Sequence, residues 1–310
     1  MPLYVHYPTW IQPQIIPGIP VYWYGFMYIA AFITTYLLFT YQVKQGDLQA
    51  DKDDVLIMFL WIVIPALLMA RIFATTIYDP TGKFLRMPWL IFWPFDNEMN
   101  FTGFQGMSFF GGLTGGIIGA LLWQRKYKKD VLTWSDAFVH GLPLGYTFGR
   151  LGNFINAELY GRITSSPIGM LFPNAHQVPV DDPTAQQIIQ ELDIPLAIGQ
   201  FTVNLPRHPS QLYEAFAEGI LLWIILWFIV RPRKPFKGFS TACYIIGYSA
   251  ARFVVEFFRE LDAGFGFYTA FNLSLGQIFC LLGILAGIVL MIIAGNIHKK
   301  RPKVKTFSSS

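Results

Sequence analysis

The sequence predicts an all-α integral membrane protein: seven transmembrane helices with a small head domain outside the membrane, the N-terminus outside and the C-terminus inside. Three observations predict it. Of 310 residues, 54% are hydrophobic and only 14% charged, with a positive mean hydropathy; soluble globular chains carry far more charge. Apolar runs recur at the length that a hydrocarbon core of about 30 Å demands of a helix. Lysine and arginine crowd every second connecting segment, as they do in cytoplasmic loops. The net charge of +4 therefore reports topology and does not point to nucleic acid.

Residues 1–20 have no basic start and no continuous apolar core, so they read as an interfacial lead-in and not as a cleavable signal peptide. Spans are expected at 21–40, 55–70, 107–123, 131–149, 215–230, 240–259 and 274–297. The fourth carries Asp136 and His140, and the sixth carries Arg252, Glu256 and Arg259. Segments after the odd-numbered spans hold Lys44 and Lys52, QRKYKKD, RPRKPFKG and HKKRPKVK, whereas the opposite segments hold only Lys83, Arg86, Arg162 and Arg207. The division that follows is 1–160 for the first four spans with the lead-in, 161–209 for the head domain, 210–297 for the last three spans and 298–310 for a basic tail inside the cell. The head segment is proline-rich and contains one short amphipathic piece, DDPTAQQIIQELDI, expected to be helical.

GMSFFGGLTGG, residues 106–116, opens the third span. Gly111, Gly112, Gly115, Gly116 and Gly119 form overlapping GxxxG spacings, which let two helix backbones approach closely in lipid, and Ser108 is placed to cap the helix start. Packing alone accounts for these glycines. Cys243 and Cys280 both fall within spans, so neither an exterior disulfide nor a metal-ligand spacing is expected. No pattern suggests a metal or an organic cofactor.

Charges inside spans are costlier, at least about 2.5–3.5 kcal/mol each at mid-bilayer, and they gather at outward-facing helix ends. FGRLGNFINAELYGR (148–162) supplies Arg150, Asn153, Asn156, Glu158 and Arg162. YSAARFVVEFFRE (248–260) sets Tyr248, Arg252, Glu256 and Arg259 on one helix face. Arg71 and Tyr24 lie at similar depth. Paired guanidinium groups hold phosphate with forked donors and stabilise charge on a departing phosphate ester in a low dielectric, so a phospholipid head group is the ligand that this set fits. Residue by residue a plainer role stays open: an Arg252–Glu256 pair that fixes helix packing, and an Arg150 that snorkels to the interface.

Five blocks now carry a resemblance. GRLGNFINAELYGR, RHPSQLYEAFAEG (207–219), GYSAARFVVEFFRE, WYGFMY (23–28) and GMSFxGGLTGG resemble, in order, the signature blocks of the bacterial phosphatidylglycerol–prolipoprotein diacylglyceryl transferases. The resemblance implies a multi-pass enzyme of the bacterial inner membrane, with its head domain in the periplasm. Its substrates would be phosphatidylglycerol and the signal peptide of a prolipoprotein, whose lipobox cysteine thiol receives the diacylglyceryl group while glycerol phosphate leaves. Carried over by position, the family's essential arginines fall on Arg150 and Arg252, its asparagine on Asn153 and its tyrosine on Tyr24. Its glycine falls on Gly161, and its acidic residues on Glu158 and Glu256; Tyr248 joins the substrate-binding set from the shared face.

One position departs. Where the family's pattern reads SFHGGL, with a histidine to activate the acceptor thiol, this chain has Phe110. A positioned base is worth about 10²–10⁴ in rate, while a thiol of pKa near 8.5 is already a few per cent thiolate at pH 7. Two expectations stand side by side. One is an active transferase whose thiol is activated otherwise, with Glu256, Glu158, Tyr24 or His208 as substitutes; the other is a catalytically impaired paralogue that binds phospholipid or prolipoprotein without efficient transfer. His208 also reads as a hydrogen-bonding residue at the head-domain junction.

Overall fold

The computed structural model describes residues 4–16, 21–79, 81–95, 98–99, 106–260 and 273–300; the last ten residues of the expected basic tail lie outside them. It is mostly helical. The elements are β1 (Val5–His6), α1 (Trp23–Lys44), α2 (Lys52–Thr76), α3 (Phe109–Tyr127), α4 (Val131–Val139), α5 (Leu142–Ile155), β2 (Met170–Leu171), β3 (Val178–Pro179), α6 (Pro183–Leu192), β4 (Thr202–Val203), α7 (Ser210–Arg233), α8 (Phe239–Val255) and α9 (Leu275–Lys300). Among the described residues, α1, α2, α7 and α9 are long and apolar enough to cross a membrane, and α8 is a shorter apolar helix of 17 residues.

The stretch expected as one span over 131–149 is two helices. α4 ends at Val139 and α5 starts at Leu142, with Gly141 at its N-cap and Pro143 in its first turn. Proline has no N–H to give an uninterrupted helix and its ring crowds the carbonyl four residues back, so a helix restarts there more readily than it continues. α5 then runs to Ile155, which puts Arg150 and Asn153 on helix and not on the loop after it.

Residues 39–134 pack as one unit and residues 1–38 with 135–310 as another. In the 39–134 unit, α2 and α3 lie backbone to backbone. A Cβ on Gly111, Gly115 or Gly119 would collide with the carbonyl oxygens of Met69, Pro65 and Trp61, whereas one on Gly112 or Gly116 would find ordinary contact at 3.6 and 3.7 Å. Only one of the two glycine rows faces the partner backbone. Ser108 caps α3, its Oγ accepting from Gly111 N–H at 3.1 Å. Asp51 caps α2 through Asp54 N–H at 2.6 Å, and Lys129 Nζ reaches Asp54 at 2.7 Å. Arg71 is buried and donates to the carbonyls of Ile91 (2.6 Å) and Gly106 (3.3 Å), so it anchors the chain that leads into α3.

In the other unit, α5, α7, α8 and α9 pack together. α7 alternates α-helical with wider π-helical turns, one of them over Ala215–Leu221, a geometry that recurs at functional sites. Asp136 is buried and accepts from Gly238 N–H, Thr241 N–H and the Thr241 hydroxyl, each at 2.8 Å. It thereby satisfies backbone donors at the start of α8 that no helical partner could reach. Segment 161–209 carries its own small core of Ala185, Ile188, Leu192, Val203 and Leu205. β3 pairs antiparallel with β4, and β2 pairs parallel with the N-terminal β1. The expected amphipathic helix is α6, capped by Asp182 through Thr184 and Ala185 N–H.

The α2–α3 contact gives a sharp test. Gly115→Ala should cost about 1–3 kcal/mol through overpacking and lower the unfolding temperature in detergent, whereas Gly116→Ala should leave that temperature within a degree or two, because its site has room.

Candidate functional site

The buried polar centre of the 1–38/135–310 unit is built on one carboxylate. Glu214, in the first turn of α7, has no solvent exposure. Arg150 Nε meets its Oε2 at 2.8 Å, Arg252 Nη1 the same oxygen at 2.9 Å, and Arg259 Nη1 its Oε1 at 3.0 Å. Three guanidinium groups from two different helices and the turn after α8 thus converge on one side chain. Arg150 and Arg252, predicted to act together, share an oxygen atom.

Helical spacing assembles the rest. Tyr146 lies one turn before Arg150 on α5; its hydroxyl accepts from Arg150 Nε at 2.6 Å and donates to Glu218 Oε2 at 2.7 Å. The Arg150 guanidinium also lies over the Tyr146 ring, 4.8 Å from its centroid. Glu218 stands one turn beyond Glu214, fully enclosed. On α8 the predicted face is present in part: Tyr248 and Arg252 lie on the helix, Glu256 caps its end and Arg259 follows in the turn beyond. Tyr248 sets its ring edge against Tyr146 at 5.9 Å, Arg252 Nη2 pairs with Glu256 at 3.1 Å, and Ser274 donates to Glu256 at 3.2 Å. The Arg252–Glu256 packing pair expected as the plainer role therefore exists, inside a larger cluster.

A second polar group adjoins it. Arg150 Nη1 donates to Asn153 Oδ1 at 3.2 Å, and Asn153 Nδ2 passes on to Glu158 Oε1 at 2.9 Å. Tyr24, on α1, bonds Tyr28 at 3.0 Å and packs where a Cβ on Gly152 would be 3.3 Å from its ring. Gly161 carries no side chain into the site. It sits where the head segment meets the chain after α8, with its N–H bonded to His208 O at 2.8 Å, and any Cβ would strike Phe258 O. Phe110 is exposed in the first turn of α3, in the 39–134 unit.

His208 bonds Tyr213 through Nδ1 at 3.2 Å and packs its ring on Phe258. Burial pushes its imidazole below the usual value, so at pH 7 it is neutral and adds nothing to the arginines' charge. Burial also holds the Tyr7 hydroxyl up at about 12, keeping it a donor to Phe154 O and Ile155 O at the end of α5, both at 3.0 Å.

Exposure separates the signs. Arg150 and Arg252 side chains are each 18% exposed, whereas Glu214 and Glu218 are 0% exposed. An anion approaching the cluster meets the guanidinium groups first. The sequence reading missed Glu214, Glu218 and Tyr146. Glu218 lies inside the apolar span expected at 215–230 and Glu214 one turn before it; a carboxylate there carries the same insertion cost that singled out Arg252, and that cost was the signal that could have found them.

A model of the family described as prolipoprotein diacylglyceryl transferase matches residues 12–293. The chain belongs to that family. It is 44% identical to the phosphatidylglycerol–prolipoprotein diacylglyceryl transferase of Treponema pallidum, over 96% of this chain and 97% of that one. It is 44% identical to the protein of that name from Treponema denticola, over 98% of both chains, and 42% identical to that of Chlorobaculum tepidum, over 93% of this chain and 91% of that one. Membership in this family and the four long apolar helices mark the chain as a membrane protein.

The convergence on Glu214 sets an energetic expectation. Glu214→Ala leaves one buried and two partly buried guanidinium groups without their shared counter-ion and should destabilise the protein by about 3 kcal/mol, read as a lower unfolding temperature in detergent; an unchanged temperature would show that the cluster holds together without it.

Proposed function

We propose that this protein transfers the diacylglyceryl group of phosphatidylglycerol to the thiol of a lipobox cysteine in a prolipoprotein, releasing glycerol phosphate, and that it does so in the bacterial inner membrane. The single observation that carries the reading is the partly open pair Arg150 and Arg252, held together above an enclosed carboxylate. The names of the relatives support the substrates. The topology proposed is seven crossings, by α1, α2, α3, the broken pair α4–α5, α7, α8 and α9, with 161–209 as a periplasmic head, the N-terminus outside and the basic tail 298–310 inside. The distribution of lysine and arginine supports that orientation.

Arg150 and Arg252 grip the phosphate with forked donors. Asn153 and Tyr24 orient the glyceryl ester region, Glu158 fixes Asn153, and Tyr248 and Glu256 hold Arg252 in its rotamer. Gly161 lets the head segment close against the site. The thiolate sulfur attacks the glyceryl carbon that bears the phosphate oxygen; the C–S bond forms as the C–O bond breaks, and the electron pair leaves on the phosphate. The arginines stabilise that growing charge more than they stabilise the ground state, which is what accelerates the step.

Phe110 favours a second reading, a catalytically impaired paralogue that binds phospholipid or prolipoprotein without efficient transfer, because a phenyl ring cannot accept the thiol's proton. Purified protein with phosphatidylglycerol and a lipobox peptide separates the two, since the paralogue reading expects binding without product. Under the transferase reading, Arg150→Ala and Arg252→Ala each lower the rate by about 10²-fold or more, and undiminished turnover in both variants would sink it. Phe110→His should raise the rate by up to about 10²-fold if the wild-type chain lacks a base; an unchanged rate would mean that another group already takes the proton.

A further inference from the structure

Beside the arginine cluster lie two buried amide oxygens that no donor among the described residues reaches. Asn156 donates its Nδ2 to Glu158 Oε1 at 3.4 Å, and Gln211 donates its Nε2 to the Glu158 carbonyl at 2.6 Å. Both partners are pure acceptors, so each amide must present its nitrogen to Glu158 and its orientation is fixed. Asn156 Oδ1 and Gln211 Oε1 are left enclosed and unpaired. Gln211 is fully buried. A buried acceptor left without a donor is a liability that folded proteins rarely keep unless something fills it.

Resting on the transferase reading above, we infer that Asn156 and Gln211 form a head-group subsite, in which the two amide oxygens accept hydrogen bonds from the two hydroxyls of the lipid's glycerol head group. The donor chemistry leads there. In phosphatidylglycerol the phosphodiester and the ester carbonyls only accept; the head-group hydroxyls are its only donors, and there are two of them. The position agrees as well: Arg150, the phosphate ligand, bonds Asn153, which bonds Glu158, which bonds both amides. A three-carbon head group, still bonded to the phosphate and extending from it along this chain, brings its hydroxyls to the two oxygens. Asn156 and Gln211 would then determine which lipid is used, while the arginines recognise any phosphodiester.

The test uses the full-length protein in mixed micelles with a lipobox peptide and either phosphatidylglycerol or phosphatidylethanol of the same acyl chains. Phosphatidylethanol has the same charge and no hydroxyl. The wild type should favour phosphatidylglycerol by about tenfold or more in kcat/KM, because a site built for hydroxyls is left with unpaired acceptors by the analogue. Asn156→Leu and Gln211→Met, near in shape and lacking the oxygen, should each cut that preference by about fivefold. The milder Asn156→Ser and Gln211→Asn, read by the same ratio, serve if either larger change prevents folding. Equal use of the two lipids by the wild type, or an equal loss on both lipids in the variants, would overturn the subsite. Transfer from neither lipid by the wild type would overturn the transferase reading itself.

Discussion

The shared counter-ion Glu214 is the constraint on which the site depends. Three guanidinium groups cannot be brought together in a low-dielectric interior unless an anion separates their charges, since like charges a few ångströms apart repel strongly there. Glu214 supplies that anion from α7, the helix that packs against both α5 and α8. Because its carboxylate is enclosed while Arg150 and Arg252 stay partly open, the cluster is assembled in advance and still has donors to offer. A site of this kind does not need to reorganise when a second anion arrives, and preorganised dipoles and charges are the largest contributors to catalysis of charge-developing steps.

Packing elsewhere serves the same end. Asp136 fixes the start of α8 from a distance of about a hundred residues in sequence, and α8 carries Tyr248 and Arg252 and ends on Glu256 at its C-cap. The wide π turns of α7 hold Glu214 and Glu218 on the face that meets Tyr146 and the arginines. In a membrane these helices gain little from hydrophobic association, since lipid is as apolar as their side chains; close backbone approach and interhelical polar contacts do the holding. In this unit the contacts that stabilise the helices and the contacts that arrange the site are largely the same ones.

Much of this was legible in the sequence, for physical reasons that can be named. Apolar runs located the helices because a bilayer tolerates little else, and Ser108 and the glycine rows signalled a helix start and a close contact through local chemistry. The 3.6-residue period placed Tyr248, Arg252 and Glu256 on one face. The break at Gly141 was missed because hydropathy does not register a proline in a first turn. Glu214 and Glu218 were missed because the arginine-bearing blocks carry the stronger charge pattern, although a carboxylate in or beside a span is as costly. The two-residue strands of the head segment were not legible at all: β1 pairs with β2 more than 160 residues away, and no local pattern encodes such a partner.

Gly161 has a consequence of another kind. Its neighbour Arg162 donates its backbone N–H to Phe258 O and its Nε to Arg259 O, while Gly161 and Arg259 form an antiparallel bridge. The head is therefore riveted through main-chain bonds to the very turn that holds one of the three guanidinium groups. It is not an interchangeable cassette hung on a bundle, and grafting a foreign head onto these helices would require matching a backbone seam, residue for residue, where there is no room for even one methyl group.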